Sequence, residues 1–257
     1  MANKQDFTGR SVLVTGAASG IGAAVARWLA DHGAARLVLV DTDEAGLEAL
    51  ALDCEVERLA ASVADEGFWT DFDARGEALH HVVANAGIGG GGQMAETSLE
   101  EWRRVMAVNL DGAFMTLRSG LRAMARADGD AGGRSAVVTA SITGVKPVPG
   151  IGPYGVAKAG VAHMARIAAA ENAAAGIRVN AIAPGGVDTA IWESSEDFRA
   201  AVAEHGRDAT MKVMAQGTPR GRFATPDELA GEIGFLLSDA SANITGHVLV
   251  SDGGYSF

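Results

Sequence analysis

An α/β fold is predicted: one domain over residues 1–257, built on a doubly wound parallel sheet of seven strands flanked by helices. Three observations predict it. Short β-branched runs alternate with Ala-rich stretches of helical periodicity. The 34 glycines fall at element ends rather than in a low-complexity tract. No internal repeat or linker interrupts the order. Strands buried on both faces and separated by helices imply parallel pairing with right-handed crossovers.

Ser11–Thr15 reads as the first strand and Ile21–His32 as a helix with Ile21, Val25 and Trp28/Leu29 on one face, stopped by Gly33. Leu37–Val40 is the second strand, followed by a helix from about Glu44 to Leu52. Val56–Ala60 is the third strand, Ala64–Ala78 a helix and His81–Asn85 the fourth strand. A long helical region runs from Leu99 to Ala127, with Phe114, Leu117, Leu121 and Met124 at three–four spacing. Ala136–Ala140 is the fifth strand. Tyr154–Ala175 is a helix closed by Gly176, and Ile177–Ile182 is the sixth strand. Pro226–Leu237 is a helix and His247–Val250 the last strand. The stretch 187–221 has broken helical patterning and no strand, which suits a substrate lid; an ordinary surface excursion is the alternative.

Composition narrows the partners. Lys plus Arg number 21 against 32 Asp plus Glu, a formal charge of −11, so nucleic acid and anionic lipid are repelled. The N-terminal MANKQDFTGR is polar and carries no apolar signal core, and no apolar run is long enough to span a bilayer. Cys54 is the only cysteine, which rules out an intrachain disulfide and fits a reducing cytoplasm. In LDCEVERL it has no helix N-terminus or basic cluster to activate it, so a packing role is expected rather than a nucleophilic one. His32, His80, His81, His163, His205 and His247 show no metal-ligand spacing, and no metal site is expected.

The first strand runs directly into Gly16-Ala17-Ala18-Ser19-Gly20-Ile21-Gly22, which opens a helix. Glycines there allow a sharp turn and let backbone N–H groups approach a pyrophosphate at the helix's positive end. This is a Rossmann-type arrangement. The next strand ends at Asp41, whose carboxylate can accept both hydroxyls of an adenosine ribose and repel a 2′-phosphate. No Arg or Lys stands at Ser19 or Thr42 to bind that phosphate, so NAD (NADH) is favoured over NADP. The alternative for Asp41 is a cap on the following helix. Further on, Tyr154 and Lys158 are four residues apart at a helix start and share one face. A neighbouring ammonium and a positively charged nicotinamide are expected to pull the phenol's pKa down from its usual value near 10. Ser141 ends the fifth strand thirteen residues earlier, at the sheet edge where ligands bind.

TGAASGIG, Ser141, and the Tyr154/Lys158 pair together resemble the short-chain dehydrogenase/reductase family, of the compact type of roughly 250 residues, over nearly the whole chain. The resemblance implies that Ser141, Tyr154 and Lys158 carry the reaction, with Asn109 in NLDG as a fourth member that holds a water linking the lysine to solvent. Read from the residues alone, Asn109 is a mid-helix polar group at which a kink is expected. The resemblance also places Asn85-Ala86-Gly87 beside the adenosine ribose and Pro184-Gly185 with Val187 along the nicotinamide, Thr189 bonding its carboxamide. Ser62-Val63 stands where the family usually has Asp-Val at the adenine, and TGHVLVSDGG resembles a last strand that packs in homotetramers.

Val148, Ile191 and Trp192 are expected to contact substrate beside Ser141 and Tyr154. Trp192, Ile191 and Phe198 suit equally a role as glue for the lid. The wider lining (Ile142, Val145, Ile151 and Val187) is apolar and offers no Arg or Lys to clamp an anion, which favours a small, uncharged, hydrophobic alcohol or ketone. The reading is an NAD-dependent oxidoreductase interconverting a secondary alcohol and its ketone. A 3-oxoacyl-thioester reductase shares the site, but Asp41 and the acidic charge oppose an NADPH-dependent reductase serving an acidic carrier. A non-catalytic NAD-binding protein would be expected to lack one of Asn109, Ser141, Tyr154 or Lys158, and all are present.

Overall fold

The structure, a computed structural model, describes residues 5–127 and 133–257. Residues 1–4, which open the polar N-terminal stretch, lie outside it. The chain order is β1 (Ser11–Thr15), α1 (Gly20–Asp31), β2 (Arg36–Asp41), α2 (Glu44–Glu48), β3 (Glu55–Ala60), α3 (Glu66–Ala74) and β4 (His81–Ala84). Then come α4 (Leu99–Met106), α5 (Ala113–Arg126), β5 (Arg134–Thr139), α6 (Gly152–Asn172) and β6 (Ile177–Pro184). The chain continues through α7 (Glu196–His205), α8 (Arg207–Ala215), α9 (Pro226–Leu237) and β7 (Val248–Ser251).

Among the described residues one seven-stranded sheet forms, in the order β3-β2-β1-β4-β5-β6-β7, with every neighbouring pair parallel. Side chains alternate across it. Leu13, Val38 and Val40 join one apolar core with α3, α5 and α6, whereas Val12, Val14, Leu37 and Leu39 join a second with α1 and α9. The crossover from β3 to β4 reverses the direction of winding. The C-terminal ends of β1 and β4 therefore open into a crevice, the place where open α/β sheets bind ligands.

Several bounds differ from the sequence reading for identifiable reasons. α2 ends at Glu48 rather than near Leu52, because Arg58 on β3 donates to the Leu47 and Leu50 carbonyls at 2.9 and 2.7 Å and terminates the turn. The expected helical region 99–127 is interrupted at Asn109, where a kink is expected, by a π-helical turn, Ala107–Gly112. Phe114, expected on the buried stripe, is 48% exposed and lies under the Arg118 guanidinium. The stretch 187–221 contains a short 3₁₀ turn and two helices, α7 and α8; Ser195 caps α7 by accepting from the Phe198 N–H. Among the described residues no helix is long and apolar enough to cross a membrane.

His81, on β4, is fully enclosed. The Ser135 hydroxyl donates to the Leu237 carbonyl at 2.6 Å, so the His81 Nδ1 that meets Ser135 Oγ at 2.9 Å carries its proton as donor. Burial, reinforced by Arg10, pushes the imidazole pKa down to about 3 from its ordinary 6.5. The folded chain therefore holds a neutral histidine that the unfolded chain protonates. The associated stability is fully present above about pH 6.5 and is lost as pH falls toward 3, on the order of a few kcal/mol in total. In urea titrations from pH 7 to 4, His81→Gln is expected to flatten the acid-side decline of stability; parallel curves for wild type and variant would assign that decline to other groups.

Candidate active site

The glycine turn is shaped by contacts that tolerate no side chain. Gly16 (φ +67) and Gly20 (φ +52) adopt backbone angles that disfavour L-residues. A Cβ on Gly22 would stand 1.9 Å from the Gly16 carbonyl oxygen, and one on Gly16 would stand 2.8 Å from the Ala86 Cα. The turn is pinned by Gly16 and Ala17 N–H groups donating to the Val40 carbonyl. Ser19 caps α1 without a side-chain hydrogen bond, so the first N–H groups of the helix have no partner from the cap. Gly16, Ser19, Gly20 and Ile21 line the crevice; Gly22, expected on it, is instead buried beneath the turn and acts by close packing.

At the end of β2, Asp41 Oδ2 accepts from Ala18 N–H at 3.0 Å and Oδ1 from Asp43 N–H at 3.1 Å. The cap on α2 is Asp43, which accepts from Gly46 N–H, so capping does not account for Asp41. Each Asp41 oxygen keeps acceptor capacity beyond the bond it makes, and the residue lines the crevice with Thr42. Ser62 Oγ accepts from Ala64 N–H at 3.2 Å and retains its own proton to donate; Ser62 and Val63 line the same end. Asn85, Ala86 and Gly87 also line it, yet the Asn85 amide is spent within the protein. It donates to the Thr15 carbonyl at 3.2 Å and accepts from Thr139 Oγ1 at 3.2 Å, tying the ends of β1, β4 and β5 together.

At the other end stand Ser141, Tyr154 and Lys158. Ser141 follows β5 and is 7% exposed; Tyr154 and Lys158 lie on the first turns of α6, which Pro153 helps to open. The Lys158 ammonium donates to the Thr139 carbonyl at 2.7 Å and lies 5.7 Å from the centre of the Tyr154 ring. Burial pulls the lysine pKa down to about 8. It also raises the Tyr154 pKa, an increase only partly offset by the Ser141 hydroxyl. The expected downward pull of Lys158 on the phenol is thus not what the chain alone displays: burial dominates, the Ser141 hydroxyl is what opposes it, and the ammonium spends a bond on Thr139.

Asn109 sits in the π turn and is fully buried. Its amide donates to the Val105 carbonyl, four residues earlier, at 3.1 Å and to Ile88 O at 3.0 Å, and accepts from Ile88 N–H at 3.2 Å. By taking the i−4 carbonyl it displaces the regular helical bond, which explains the expected kink as a π turn. Asn109 stands behind the crevice wall rather than on it. A Cβ on Gly87 would meet Asn109 Oδ1 at 2.7 Å and Lys158 Nζ at 3.4 Å, so both groups converge on a space that glycine keeps open.

The two ends join in one cleft of about 1980 Å³, also lined by Pro184, Gly185, Val187, Thr189, Val148, Ile191 and Trp192. Trp192 stacks on Phe223 with ring centres 5.4 Å apart and donates from Nε1 to Val187 O at 2.8 Å, so it both lines the cleft and fastens the 187–221 stretch. Val145 points elsewhere, being 50% exposed and off the lining. Arg104 does line the cleft, against the expectation of no cation there, but Glu101 and the Gly89 carbonyl occupy its guanidinium. Sequence reasoning also missed Thr143 and Tyr255. Thr143 bonds Ser141, and Tyr255 comes from the C-terminal tail, its ring under the Lys146 ammonium at 4.6 Å. One signal was available for the latter: the chain has only two tyrosines.

A glycine turn at a helix start, a two-oxygen carboxylate one strand over and a Ser–Tyr–Lys set at the far end fit a nicotinamide dinucleotide along the cleft. Fold and site together define an oxidoreductase of the nicotinamide-dependent class. The family model described as enoyl-(acyl carrier protein) reductase matches residues 16–256. The chain is 37% identical to cis-4-hydroxycyclohexanecarboxylate dehydrogenase of Sinomonas cyclohexanicum, covering 97% of this chain and 98% of that protein. Cyclohexanol dehydrogenase of Acinetobacter sp. (strain SE19) is 35% identical, covering 100% and 98%. The crystal structure of levodione reductase superposes with a TM-score of 0.86 at 35% identity, covering 97% of this chain and 98% of that one. The chain belongs to the short-chain dehydrogenase/reductase family.

Proposed function

We propose that the protein is an NAD-dependent dehydrogenase that interconverts a secondary alcohol and its ketone, with Tyr154 as general acid and base. The observation that carries this reading is the convergence of Ser141, Tyr154 and Lys158 at the end of a cleft whose other end is the glycine turn and Asp41. The residues that would hold NAD are Gly16, Ser19, Gly20 and Ile21 at the pyrophosphate, Asp41 at the adenosine ribose and Ser62–Val63 at the adenine. Asn85-Ala86-Gly87, Pro184-Gly185, Val187 and Thr189 complete the set, with Lys158 at the second ribose. NAD supplies the hydride acceptor and, in its oxidised form, a positively charged ring.

The rest is the chain's own work. Ser141 and Tyr154 bond the substrate oxygen and stabilise it as charge develops there. In oxidation Tyr154 takes the hydroxyl proton; in reduction it returns one to the ketone oxygen. Because burial raises the phenol's pKa, neutral pH favours the acid form that reduction needs, and oxidation is expected to speed up as pH rises. Lys158, poised by burial at about 8, can relay the proton onward toward Asn109 and solvent. Residues 187–221 form the substrate lid, and exposed apolar side chains on α5, α6 and β7 (Phe114, Val156, Ile167 and Val250) suit homotetramer packing.

The apolar lining points to an uncharged substrate, and the hydroxylated six-membered ring in the names of two relatives, one of them a carboxylate, points to a cyclic secondary alcohol. NADH formation followed spectrophotometrically across cyclic, steroidal, aryl and aliphatic secondary alcohols tests this. Cyclic alcohols are expected to give the highest turnover. NAD binding with no turnover of any alcohol or ketone would overturn the reading.

A further inference from the structure

Ser141 must donate, not accept, if it is to polarise a substrate oxygen, yet a hydroxyl can do either. What surrounds it decides the matter. The backbone N–H of Thr143 reaches Ser141 Oγ at 3.2 Å and the Thr143 hydroxyl reaches the same atom at 3.1 Å. A serine oxygen has two lone pairs. With both filled from Thr143, the only hydrogen-bonding capacity left on Ser141 is its own O–H, and that proton has to point away from Thr143. The Tyr154 phenol lines the same cleft, and the Ser141 hydroxyl opposes the rise that burial gives its pKa. The backbone donor is secured by the 3₁₀ turn Ile142–Gly144, which Ser141 caps; the hydroxyl donor depends on residue 143 alone.

We propose that Thr143 is a positioning residue that acts through Ser141, filling its acceptor sites so that the serine is an obligate donor toward Tyr154 and the substrate oxygen. This rests on the reading of Tyr154 as the proton-transferring group. Thr143 also lines the cleft, and its γ-hydroxyl, committed to Ser141, is not the one that meets substrate. A Ser141 free to rotate would spend part of its time accepting, which weakens stabilisation of the developing charge without weakening substrate binding to the same degree.

The test uses Thr143→Val, which keeps the shape and removes the hydroxyl, Thr143→Ser, which keeps the hydroxyl, and Thr143→Ala as a second hydroxyl-free variant should Thr143→Val fold poorly. With cyclohexanol and NAD as probe, Thr143→Val is expected to lose about tenfold in kcat with little change in KM, and Thr143→Ser to restore most of it. A second readout needs no substrate. In a Tyr255→Phe background Tyr154 is the only tyrosine, so the alkaline rise of phenolate absorbance reports it alone. Thr143→Val is expected to move that titration upward and Thr143→Ser to leave it in place. A titration and kcat unchanged in both hydroxyl-free variants would overturn the proposal. So would a loss confined to KM, which would make Thr143 a substrate contact, or a Thr143→Ser enzyme as impaired as Thr143→Val. Failure of the dehydrogenase reading would show differently, as a wild-type chain that turns over no alcohol while the titration still answers to Thr143.

Discussion

Tyr154→Phe is expected to lower kcat by about three orders of magnitude, the range a positioned general acid–base group contributes, while NADH binding changes little. The phenol oxygen is the one atom removed. The ring stays, and with it the packing at the start of α6 and the face presented to Lys158, 5.7 Å from the ring centre. The direction of the pKa shift sharpens the expectation. Burial keeps the proton on Tyr154, and Ser141 opposes this. Wild-type oxidation should therefore show an alkaline limb in its pH–rate profile, and the residual activity of the variant should lack it. Ser141→Ala is expected to leave that limb but move it upward, since the hydroxyl that lowers the phenol's pKa is gone. Stopped-flow NADH formation and fluorescence titration of NADH binding separate the two effects. A Tyr154→Phe enzyme that retains wild-type kcat would remove the tyrosine from the chemistry.

Much of this site was legible from residues alone, and what was not has identifiable physical causes. β1 and α9 begin and end where the sequence put them because their boundaries are local: Thr225 and Glu228 form a capping box around Pro226, and Gly16 breaks β1 with a backbone angle only glycine adopts cheaply. The glycine turn, Asp41, Ser141, Tyr154 and Lys158 likewise announce themselves by residue type at a fixed place relative to strand ends. Some of the differences arose where a distant residue intervenes. Arg58, from β3, ends α2 early. Ile88 exchanges two bonds with the Asn109 amide and fixes the expected kink there as a π turn. Gly22 packs against Gly16 rather than facing the cleft, and Tyr255 reaches the cleft only because Asp252 accepts from the Gly254 and Ser256 N–H groups and folds the tail back. Arg58 and Ile88 act across the fold, beyond any short window of sequence, whereas Gly22 and Tyr255 turn on local backbone geometry that residue type alone does not reveal.

Asp41→Ser is expected to reduce kcat/KM with NAD by about 10- to 100-fold and to erase most of the discrimination against NADP. Two charge-assisted hydrogen bonds from a ribose to a carboxylate are worth roughly 1.5–3 kcal/mol each at the outside, and part of that is recovered by the serine hydroxyl. For NADP the change runs the other way, because the carboxylate that repels a 2′-phosphate is gone. NADP should not become the preferred cofactor, since the neighbouring lining at Ser19 and Thr42 is uncharged and Arg58 is spent on the Leu47 and Leu50 carbonyls. Asp41 has a second employment: it accepts from Ala18 and Asp43 N–H groups, so its loss also loosens the glycine turn. The two roles separate by measurement. Loss of turn anchoring lowers the melting temperature of the chain and weakens NAD and NADP alike, whereas loss of ribose recognition changes the ratio of kcat/KM for the two. A variant that melts earlier yet keeps the wild-type ratio would show Asp41 to be an anchor for the turn and nothing more, and the choice of cofactor would then have to lie with Thr42 or Ser62.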